Sequence, residues 1–230
     1  MKEMYESDLY AQKNPTWHEE DAPWKAGHIE SMIKRNKIPC DSIAEIGCGT
    51  GEILLTLEKA FPQATLSGYE ISQQAFGRAA HKETSRTKFH LNDLLSERYL
   101  QFDLVLAIDV IEHVEDYISF VKQLRTVGTF KIFHIPLDLS AQSVLRSWPI
   151  LELRRNVGHI HYFFKQTALA MLEDCGYTIV DHCYTASRLE LPNQVLTSRL
   201  MRLPRRMMFA VDADLAVRLL GGYSLLILAK

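Results

Sequence analysis

The residues with the clearest chemical potential form a glycine-rich turn near the beginning of the chain. The apolar segment Ile43–Ile46, interrupted only by Glu45, is followed by Gly47–Gly51 and then by Glu52. Glycine permits left-handed backbone and lets a ligand approach the main chain closely. A helix that begins here offers unpaired N–H groups to an anion. A dinucleotide site needs its third glycine at position 52, where Glu52 would repel a pyrophosphate. The spacing therefore favours an anionic group other than the pyrophosphate of a dinucleotide.

Carboxylates also follow later apolar segments. Glu70 closes the segment that begins at Ala64, and Asp93 follows Leu91 by two positions. Taken alone, Glu70 is also explained as a solvated strand end, and Asp93 as a turn former or a helix N-cap. A further apolar segment, Phe102–Ile108, leads directly into Asp109-Val110-Ile111-Glu112-His113-Val114.

Taken in order, these segments resemble the motifs of class I S-adenosylmethionine-dependent methyltransferases over roughly residues 17–185. The resemblance implies S-adenosylmethionine as cofactor and S-adenosylhomocysteine as product. It implies that the methionine carboxylate lies at the glycine turn, that Glu70 binds both ribose hydroxyls, and that Asp93 holds the adenine amino group. Two acceptor oxygens close together suit a diol. The cofactor-binding residues expected on this basis are Glu45, Gly47, Cys48, Gly49, Gly51, Glu70, Ile71, Asp93, Leu94, Ile108 and Asp109.

Three histidines are candidates for the chemical step. Methyl transfer to oxygen or nitrogen needs the acceptor about 3 Å from the methyl group and often the loss of one proton. Histidine suits that task near neutral pH. The resemblance places His113 beside the cofactor and His159 and His161 on the active-site side, so we expect His113 and His159 to be catalytic. One of His159 and His161 should face inward and the other outward. A supporting role for His113 in its loop stays open.

A metal site is an alternative at the same place. Asp109-x-x-Glu112-His113 is a variant of the E-x-x-E-H pattern of ubiquinone-biosynthesis O-methyltransferases and terminal 2′-O-methyltransferases of small RNAs, where carboxylates and histidines bind a divalent ion. Here the ligand set would be Asp109, Glu112, His113 and either His159 or His161, a mixed oxygen and nitrogen set. Because aspartate is one carbon shorter than glutamate, we expect no metal.

Two tryptophans and a histidine, Trp17, His18 and Trp24, precede the first predicted helix. The resemblance implies an N-terminal lid over the cofactor, with one of these residues lining the active site. The alternative is that both indoles anchor the helix on the sheet, which their amphipathic rings do well.

Alternation of apolar and amphipathic segments predicts the fold class. From about residue 25 to 135 this alternation is typical of a parallel sheet covered on both faces. We expect an α/β, Rossmann-like three-layer sandwich with a seven-stranded, mostly parallel sheet, its last strand antiparallel, and substrate-side insertions. One methyltransferase domain over residues 1–230 is expected, with a lid and helix in 1–36, a cofactor-binding half in 40–136 and a substrate-side half in 137–230. The predicted strands are 42–46, 64–69, 87–91, 102–108, 129–135, 177–184 and 223–229, and the predicted helices are 25–36, 52–60, 72–82, 114–127, 166–175 and 192–212, with 137–165 irregular.

The substrate should lie under residues 137–165 and 188–212, which a minimal fold lacks. Their basic and aromatic residues include Arg146, Trp148, Arg154, Arg155, Arg199, Arg202, Arg205 and Arg206. These could form a pocket for an anionic or glycosylated small molecule, or contact an anionic membrane that carries a lipid-linked acceptor. The third interpretation, a helix with a solvated basic face, is the one we favour.

Composition limits the class of partner. The 230 residues carry a net charge of −2 and are 47% hydrophobic, which disfavours a nucleic-acid binder. The first residues are acidic and lack a secretory apolar core, and the four cysteines form no C-x-x-C pair. We expect a cytoplasmic enzyme that methylates a small molecule at oxygen, with no integral membrane contact and a homodimer left open. The alternatives are an RNA or protein methyltransferase and a non-catalytic cofactor-binding protein.

Overall fold

In the computed structural model, residues 13–17, 19–97, 100–191 and 202–230 are described. They form a seven-stranded sheet in the order β3-β2-β1-β4-β5-β7-β6. The strands are β1 (Ser42–Ile46), β2 (Thr65–Glu70), β3 (Thr87–Leu91), β4 (Phe102–Ile108), β5 (Gly128–Pro136), β6 (Ile179–Thr185) and β7 (Ser224–Ala229). The helices are α1 (Ala22–Asn36), α2 (Glu52–Ala60), α3 (Gln73–Ala80), α4 (Tyr117–Leu124), α5 (Ala141–Arg146), α6 (Trp148–Asn156), α7 (Lys165–Asp174), α8 (Ser187–Glu190), α9 (Arg202–Val211) and α10 (Ala213–Leu220).

Strand direction brings the candidate residues to one edge of the sheet. Strands β1 to β5 pair in parallel, whereas β7 runs antiparallel to both β5 and β6. This confirms the predicted mostly parallel sheet with an antiparallel last strand. Because the carboxyl ends of β1, β2, β4 and β5 lie side by side, the loops that follow them share one crevice, the usual ligand position in such sheets.

Two apolar layers, one on each face of the sheet, account for the three-layer form. One layer includes Ile29 of α1 and Leu57 of α2, and the other includes Leu124 of α4 and Leu172 of α7. Alternate residues of β4 enter opposite layers, with Leu104, Leu106 and Ile108 on one side and Val105 and Ala107 on the other. A strand buried on both faces has to be apolar throughout, which is why the sequence shows a continuous apolar run there.

The segment predicted to be irregular, residues 137–165, contains α5 and α6, so that prediction was wrong. Ser140 caps α5 by accepting a hydrogen bond from the Ser143 N–H at 3.1 Å, and Pro149 lies in the first turn of α6, where proline costs no hydrogen bond. Neither helix contains a buried residue. The apolar periodicity that signals a helix packed on a core is therefore absent from the sequence.

The basic helical segment also differs from its predicted bounds. Only its part from Arg202 onward is described, as α9, and a further helix, α10, follows beyond the predicted end at Asp212. The Asp212 side chain starts α10 by accepting the Leu215 N–H at 2.9 Å. Within the described part of the chain, no helix is both long and apolar enough to cross a membrane.

Candidate active site

The glycine turn after β1 borders open space at one position. Gly47, Gly49 and Gly51 all have positive φ, at 67°, 55° and 83°. A Cβ built on Gly47 would lie 2.8 Å from a Val110 methyl carbon, and one on Gly51 would lie 2.3 Å from the Phe89 ring. A Cβ on Gly49 would meet nothing within 4 Å. The outer two glycines therefore allow close packing, while Gly49 leaves its backbone accessible to a ligand.

Glu70 lies beside this turn and is bonded to it. One carboxylate oxygen accepts the Gly49 N–H at 2.9 Å and the other accepts the Ser72 N–H at 2.7 Å. Burial raises the pKa of Glu70, although these backbone donors act in the opposite direction. Each oxygen of a carboxylate has a second lone pair, so the pair of oxygens can still accept from neighbouring hydroxyls. The predicted acid is thus held against the predicted turn.

The other predicted adenosine-side residues surround the ends of β2 and β3. Ile71 is 50% exposed, whereas Leu94 is fully buried. Asp93 is exposed and caps a short 3₁₀ turn, its carboxylate accepting the Leu95 N–H at 2.9 Å. The structural role considered for Asp93 is therefore present, and adenine binding by the same side chain stays a prediction.

Cys48, in the glycine turn after β1, lies near Gly68, and burial raises its pKa well above the usual value.

A partly buried chain of charged and polar groups links α1 to the end of β4. Asp109 has a φ of 55°, and its carboxylate lies 2.7 Å from Lys25 Nζ and 2.5 Å from His134 Nδ1. The other nitrogen of His134 lies 2.8 Å from the Thr185 hydroxyl. Burial acts to raise the pKa of Asp109, but His134 and Lys25 outweigh it and hold that pKa well below its usual range.

Glu45, also predicted in the cofactor site, lies close to this chain. Its side chain is 2% exposed, and one carboxylate oxygen has no hydrogen-bond partner among the described residues. Burial raises the pKa of Glu45 well above its usual value, and the nearby Lys25 ammonium only partly offsets this. A buried carboxylate without a full set of partners is costly, so Glu45 lies where a cationic or hydrogen-bonding ligand group would stabilise it. Ile108, which ends β4, is also buried.

Two histidines and a glutamate converge beyond the end of β4. His113 Nδ1 donates to the Gly158 carbonyl at 3.1 Å, and His159 Nδ1 lies 2.6 Å from an Asp138 carboxylate oxygen. The Nε2 atom of each ring lies 3.9 Å from the same oxygen of Glu112. Because an acceptor at Nδ1 fixes the tautomer with the proton on that nitrogen, both Nε2 atoms present lone pairs toward Glu112.

Burial sets the charge of this cluster. It raises the pKa of Glu112 well above the usual value, assisted by Asp109, and neither oxygen of the fully buried Glu112 carboxyl group has a hydrogen-bond partner among the described residues. Burial and the neighbouring His159 lower the pKa of His113 to about 4. His113 is therefore neutral at pH 7, and Glu112 has a strong tendency to be protonated.

The cluster is smaller than the ligand set considered from the sequence. Ligand atoms of Glu112, His113 and His159 lie within 4.8 Å of one another. Asp109 instead binds Lys25 and His134. His161 points elsewhere, with Nε2 2.9 Å from the Val114 carbonyl. Of the pair His159 and His161, His159 is the one that faces the cluster. Three suitably spaced groups of these types can act in proton transfer or hold a divalent cation.

Sequence reasoning missed several residues that the fold brings to this edge. They are Lys25, His134, Asp138 and Thr185. Lys25 follows Trp24 in the segment considered as a lid, and Asp138 follows β5 at the edge where catalytic side chains gather. The positions of Lys25 and Asp138 were the available sequence signals, but the residues that they contact are distant in sequence.

The N-terminal aromatic residues are only partly described, since His18 lies outside the described residues. Trp24 donates from its indole N–H to Glu190 of α8 at 2.6 Å and contacts the edge of the His28 ring. It also lies edge-on to His134, with ring centroids 6.5 Å apart. Trp24 thus anchors α1 against α8 while its ring adjoins the charged chain.

The basic residues on the substrate side divide into two groups. Arg205 is 5% exposed and donates to the Gly221 and Leu220 carbonyls at 2.8 and 3.0 Å, which ties α9 to the end of α10. Arg202 and Arg206 are exposed. Arg199 lies outside the described residues. The favoured interpretation, a solvated basic face, therefore applies to Arg202 and Arg206 of α9. Arg205 instead joins α9 to α10.

Comparisons with known proteins agree with this geometry. Residues 44–127 match the family model described as a methyltransferase domain. Trans-aconitate 2-methyltransferase of Deinococcus radiodurans is 28% identical over 99 residues, which are 43% of this chain and only 37% of that protein. The match thus spans well under two thirds of that relative's length.

Two solved structures with S-adenosylhomocysteine bound share the fold. The plantazolicin methyltransferase BpumL superposes with a TM-score of 0.60 at 16% identity, covering 100% of this chain and 93% of that one. The N-methyltransferase NodS from Bradyrhizobium japonicum WM9 gives 0.57 at 17% identity, covering 97% and 98%. At these identities the likeness establishes the fold alone.

Proposed function

We propose that this chain, which shares the class I methyltransferase fold and matches a methyltransferase domain model over residues 44–127, uses S-adenosylmethionine to methylate a small molecule at an oxygen atom. The observation that carries the proposal is the turn at Gly49, which is open to a ligand and is hydrogen-bonded to Glu70. This arrangement suits a cofactor that has an anionic end and a ribose diol. Lys25 and the partly unpaired Glu45 lie where they can bind the carboxylate and the ammonium group of its methionine part.

The cofactor, when bound, supplies an electrophilic methyl group on a sulfonium centre. The chain must then orient an acceptor oxygen and take its proton. We assign the proton to His159 Nε2, because Asp138 holds the other ring nitrogen at 2.6 Å and stabilises the imidazolium that forms. His113, whose pKa burial and His159 lower to about 4, holds a proton poorly. Its role is to keep a neutral ring beside His159 and to accept a hydrogen bond from the acceptor.

A small-molecule acceptor is supported by the enclosed position of the cluster. His159 is 8% exposed and Glu112 is fully buried, so a bulky folded macromolecule has little access. The net charge of −2 also gives RNA no general attraction.

The cytoplasmic location stays part of the proposal. It is supported by Cys40, Cys48, Cys175 and Cys183, which are free thiols, as expected in a reducing compartment. A homodimer stays open.

A divalent cation at Glu112, His113 and His159 is a second candidate for the chemistry. The observation in its favour is that the three ligand atoms lie together and that backbone or carboxylate acceptors orient both imidazoles, as in many metal sites. These residues fit a cation as three ligands of mixed type, and a cation there would lower the pKa of an acceptor hydroxyl directly. Loss of activity in chelator, restored by magnesium, manganese or zinc, would establish this candidate and displace His159 as the base.

The proposed function is tested by co-crystallisation with S-adenosylhomocysteine and a fractionated metabolite extract, together with transfer of a labelled methyl group to the same fractions. We expect density for the nucleoside beside Gly49 and Glu70, and label in one fraction as an alkali-stable ether or an alkali-labile ester. Label in RNA or protein, or in an amine, would contradict the acceptor class. Absence of S-adenosylhomocysteine binding would contradict the cofactor and with it the enzyme.

A further inference from the structure

Helices α9 and α10 present apolar side chains to solvent at every fourth position. Leu203, Met207, Val211, Leu215 and Leu219 are 67%, 63%, 89%, 46% and 39% exposed. The opposite side of α9 holds the buried Arg205 and the partly buried Phe209, which stacks on Tyr223 with ring centroids 5.2 Å apart. A surface helix of a globular protein ordinarily turns its apolar stripe inward. Here the stripe faces outward.

The neighbouring helices α5 and α6 extend the apolar surface. They contain no buried residue, and α5 packs against α10. Val144, Leu145, Trp148 and Leu151 are each about half or more exposed, at 56%, 85%, 52% and 48%. Nine of the thirteen large apolar side chains that are exposed in the described chain therefore lie on α5, α6, α9 and α10. Such a concentration marks an interaction surface rather than scattered exposure.

The same four helices are basic. Residues 140–156 and 202–220 contain seven arginines and three carboxylates, in a chain whose net charge is −2. Of the three acids, Asp214 is already paired with Lys165 at 3.0 Å. The guanidinium of Arg146 lies over the Trp148 ring at 4.8 Å, and Arg202 and Arg206 precede Leu203 and Met207 along one side of the stripe. Cationic and apolar groups are thus interleaved.

We propose that the exposed faces of α5, α6, α9 and α10, here called the outer helical face, dock on an anionic lipid bilayer. Helices that lie in the plane of a membrane bury an apolar stripe at the level of the headgroups while arginines reach anionic phosphates. The apolar stems of arginine allow this arrangement, and tryptophan suits the boundary between the two environments. The core of a protein interface is depleted in charge, which fits this face less well.

Docking of this face also indicates a substrate class, an inference that rests on the proposed function. Four residues separate the end of β5 from the beginning of α5, and α6 ends three positions before His159. The outer helical face therefore adjoins the segment that carries the proposed base. A bilayer on this face brings a membrane-anchored acceptor to the crevice, so the substrate class is an amphiphilic or lipid-linked molecule whose polar head enters the site.

Sedimentation with vesicles tests the docking without cofactor or acceptor. The full chain is mixed with vesicles of phosphatidylcholine alone or of phosphatidylcholine with phosphatidylglycerol, at low and high salt. We expect binding only to the anionic vesicles and its loss at high salt. The variants are Met207→Glu and the pair Arg202→Glu with Arg206→Glu. Their matched controls are Val180→Glu on β6 and Lys59→Glu on α2, exposed apolar and basic positions away from the face.

Each test variant should reduce partitioning at least tenfold, since one arginine near an anionic surface alone changes it by about fivefold, while both controls should bind like the parent chain. Equal binding by all variants, or no binding to anionic vesicles, would overturn the proposal. So would a concentration-dependent dimer that Met207→Glu dissolves, because the occupant would then be a second copy. Calorimetry with S-adenosylhomocysteine on the same samples separates this failure from failure of the cofactor site.

Discussion

Gly49 and Glu70 offer the most direct residue-scale test of cofactor binding. We expect Gly49→Val to abolish binding of S-adenosylhomocysteine, because its side chain would enter the open space above the turn and a φ of 55° strains a β-branched residue. Glu70→Ala should weaken binding by about 1–3 kcal/mol through lost charged hydrogen bonds. Calorimetry measures both. Gly77→Val is the control, since a Cβ there also meets nothing within 4 Å but the position faces solvent.

The assignment of His159 as the base predicts a pattern among the histidines. His159→Asn should lower the maximal rate by roughly 10²–10⁴-fold and leave cofactor affinity nearly unchanged. Asp138→Asn should lower the rate as well, because the imidazolium would lose its carboxylate partner. His161→Gln should affect the melting temperature more than the rate, since its ring binds a backbone carbonyl. The assignment fails if His161→Gln and His159→Asn reduce the rate equally.

Replacing Glu112 with glutamine is predicted to stabilise the folded chain at high pH but not at low pH. Its raised pKa means that the folded chain binds this proton more tightly than the unfolded chain. The contribution of Glu112 to stability is thus greatest below the unfolded pKa of about 4.3 and is lost as pH rises toward the folded value. Glu112→Gln should therefore raise the free energy of unfolding at pH 8, by about 1–3 kcal/mol, and change it little at pH 4.

Denaturant unfolding of parent and Glu112→Gln at the two pH values checks this effect. A variant that is less stable at pH 8 would mean that Glu112 is ionised and stabilised by a bound cation, the second candidate of the proposed function. Repeating the measurement in chelator distinguishes that outcome.

At the scale of elements, much of the sheet could be predicted from sequence. Strands β1, β3 and β4 and helix α2 have the predicted bounds. Strands β1 and β4 are buried on both faces and are therefore largely apolar, whereas β3, at the sheet edge, alternates buried and more exposed residues. Helices α5 and α6 could not be predicted by that logic, since they bury nothing. Lys25, His134 and Asp138 were missed for a related reason. Their roles arise from contacts across the sheet edge, and no local pattern encodes those contacts.

The contact between α9 and the end of α10 leads to a prediction at the scale of elements. Arg205 donates to two carbonyls at the end of α10, so it satisfies acceptors that the helix cannot pair internally. Arg205→Ala should cost about 1.5–3 kcal/mol of stability, as expected for hydrogen bonds to a charged group. Arg206→Ala, one residue along and exposed, should change stability by less than about 0.5 kcal/mol. Thermal unfolding of the two variants measures the difference, and equal melting temperatures would contradict the structural role of Arg205.

At the scale of the whole molecule, we propose that the chain is one cooperative domain. The predicted cofactor-binding half supplies β1 to β5, and the substrate-side half supplies β6 and β7. The two halves meet along the β5–β7 pairing, for example at Phe133 opposite Ile227. Both apolar layers also take residues from both halves, such as Leu226 and Leu228 beside Leu104. A sheet that shares its core in this way should not open one half at a time.

Hydrogen exchange with and without S-adenosylhomocysteine tests that cooperativity. A ligand at 100 times its dissociation constant adds about 2.7 kcal/mol to the free energy of global unfolding. Amides that exchange only through global unfolding should therefore slow by roughly 100-fold wherever they lie. We expect this factor for Leu106 in β4, in the predicted cofactor-binding half, and equally for Ile227 in β7, in the substrate-side half. Slowing confined to residues 40–136 would show that the substrate-side half unfolds on its own, and Gly49→Val should remove the effect from both strands.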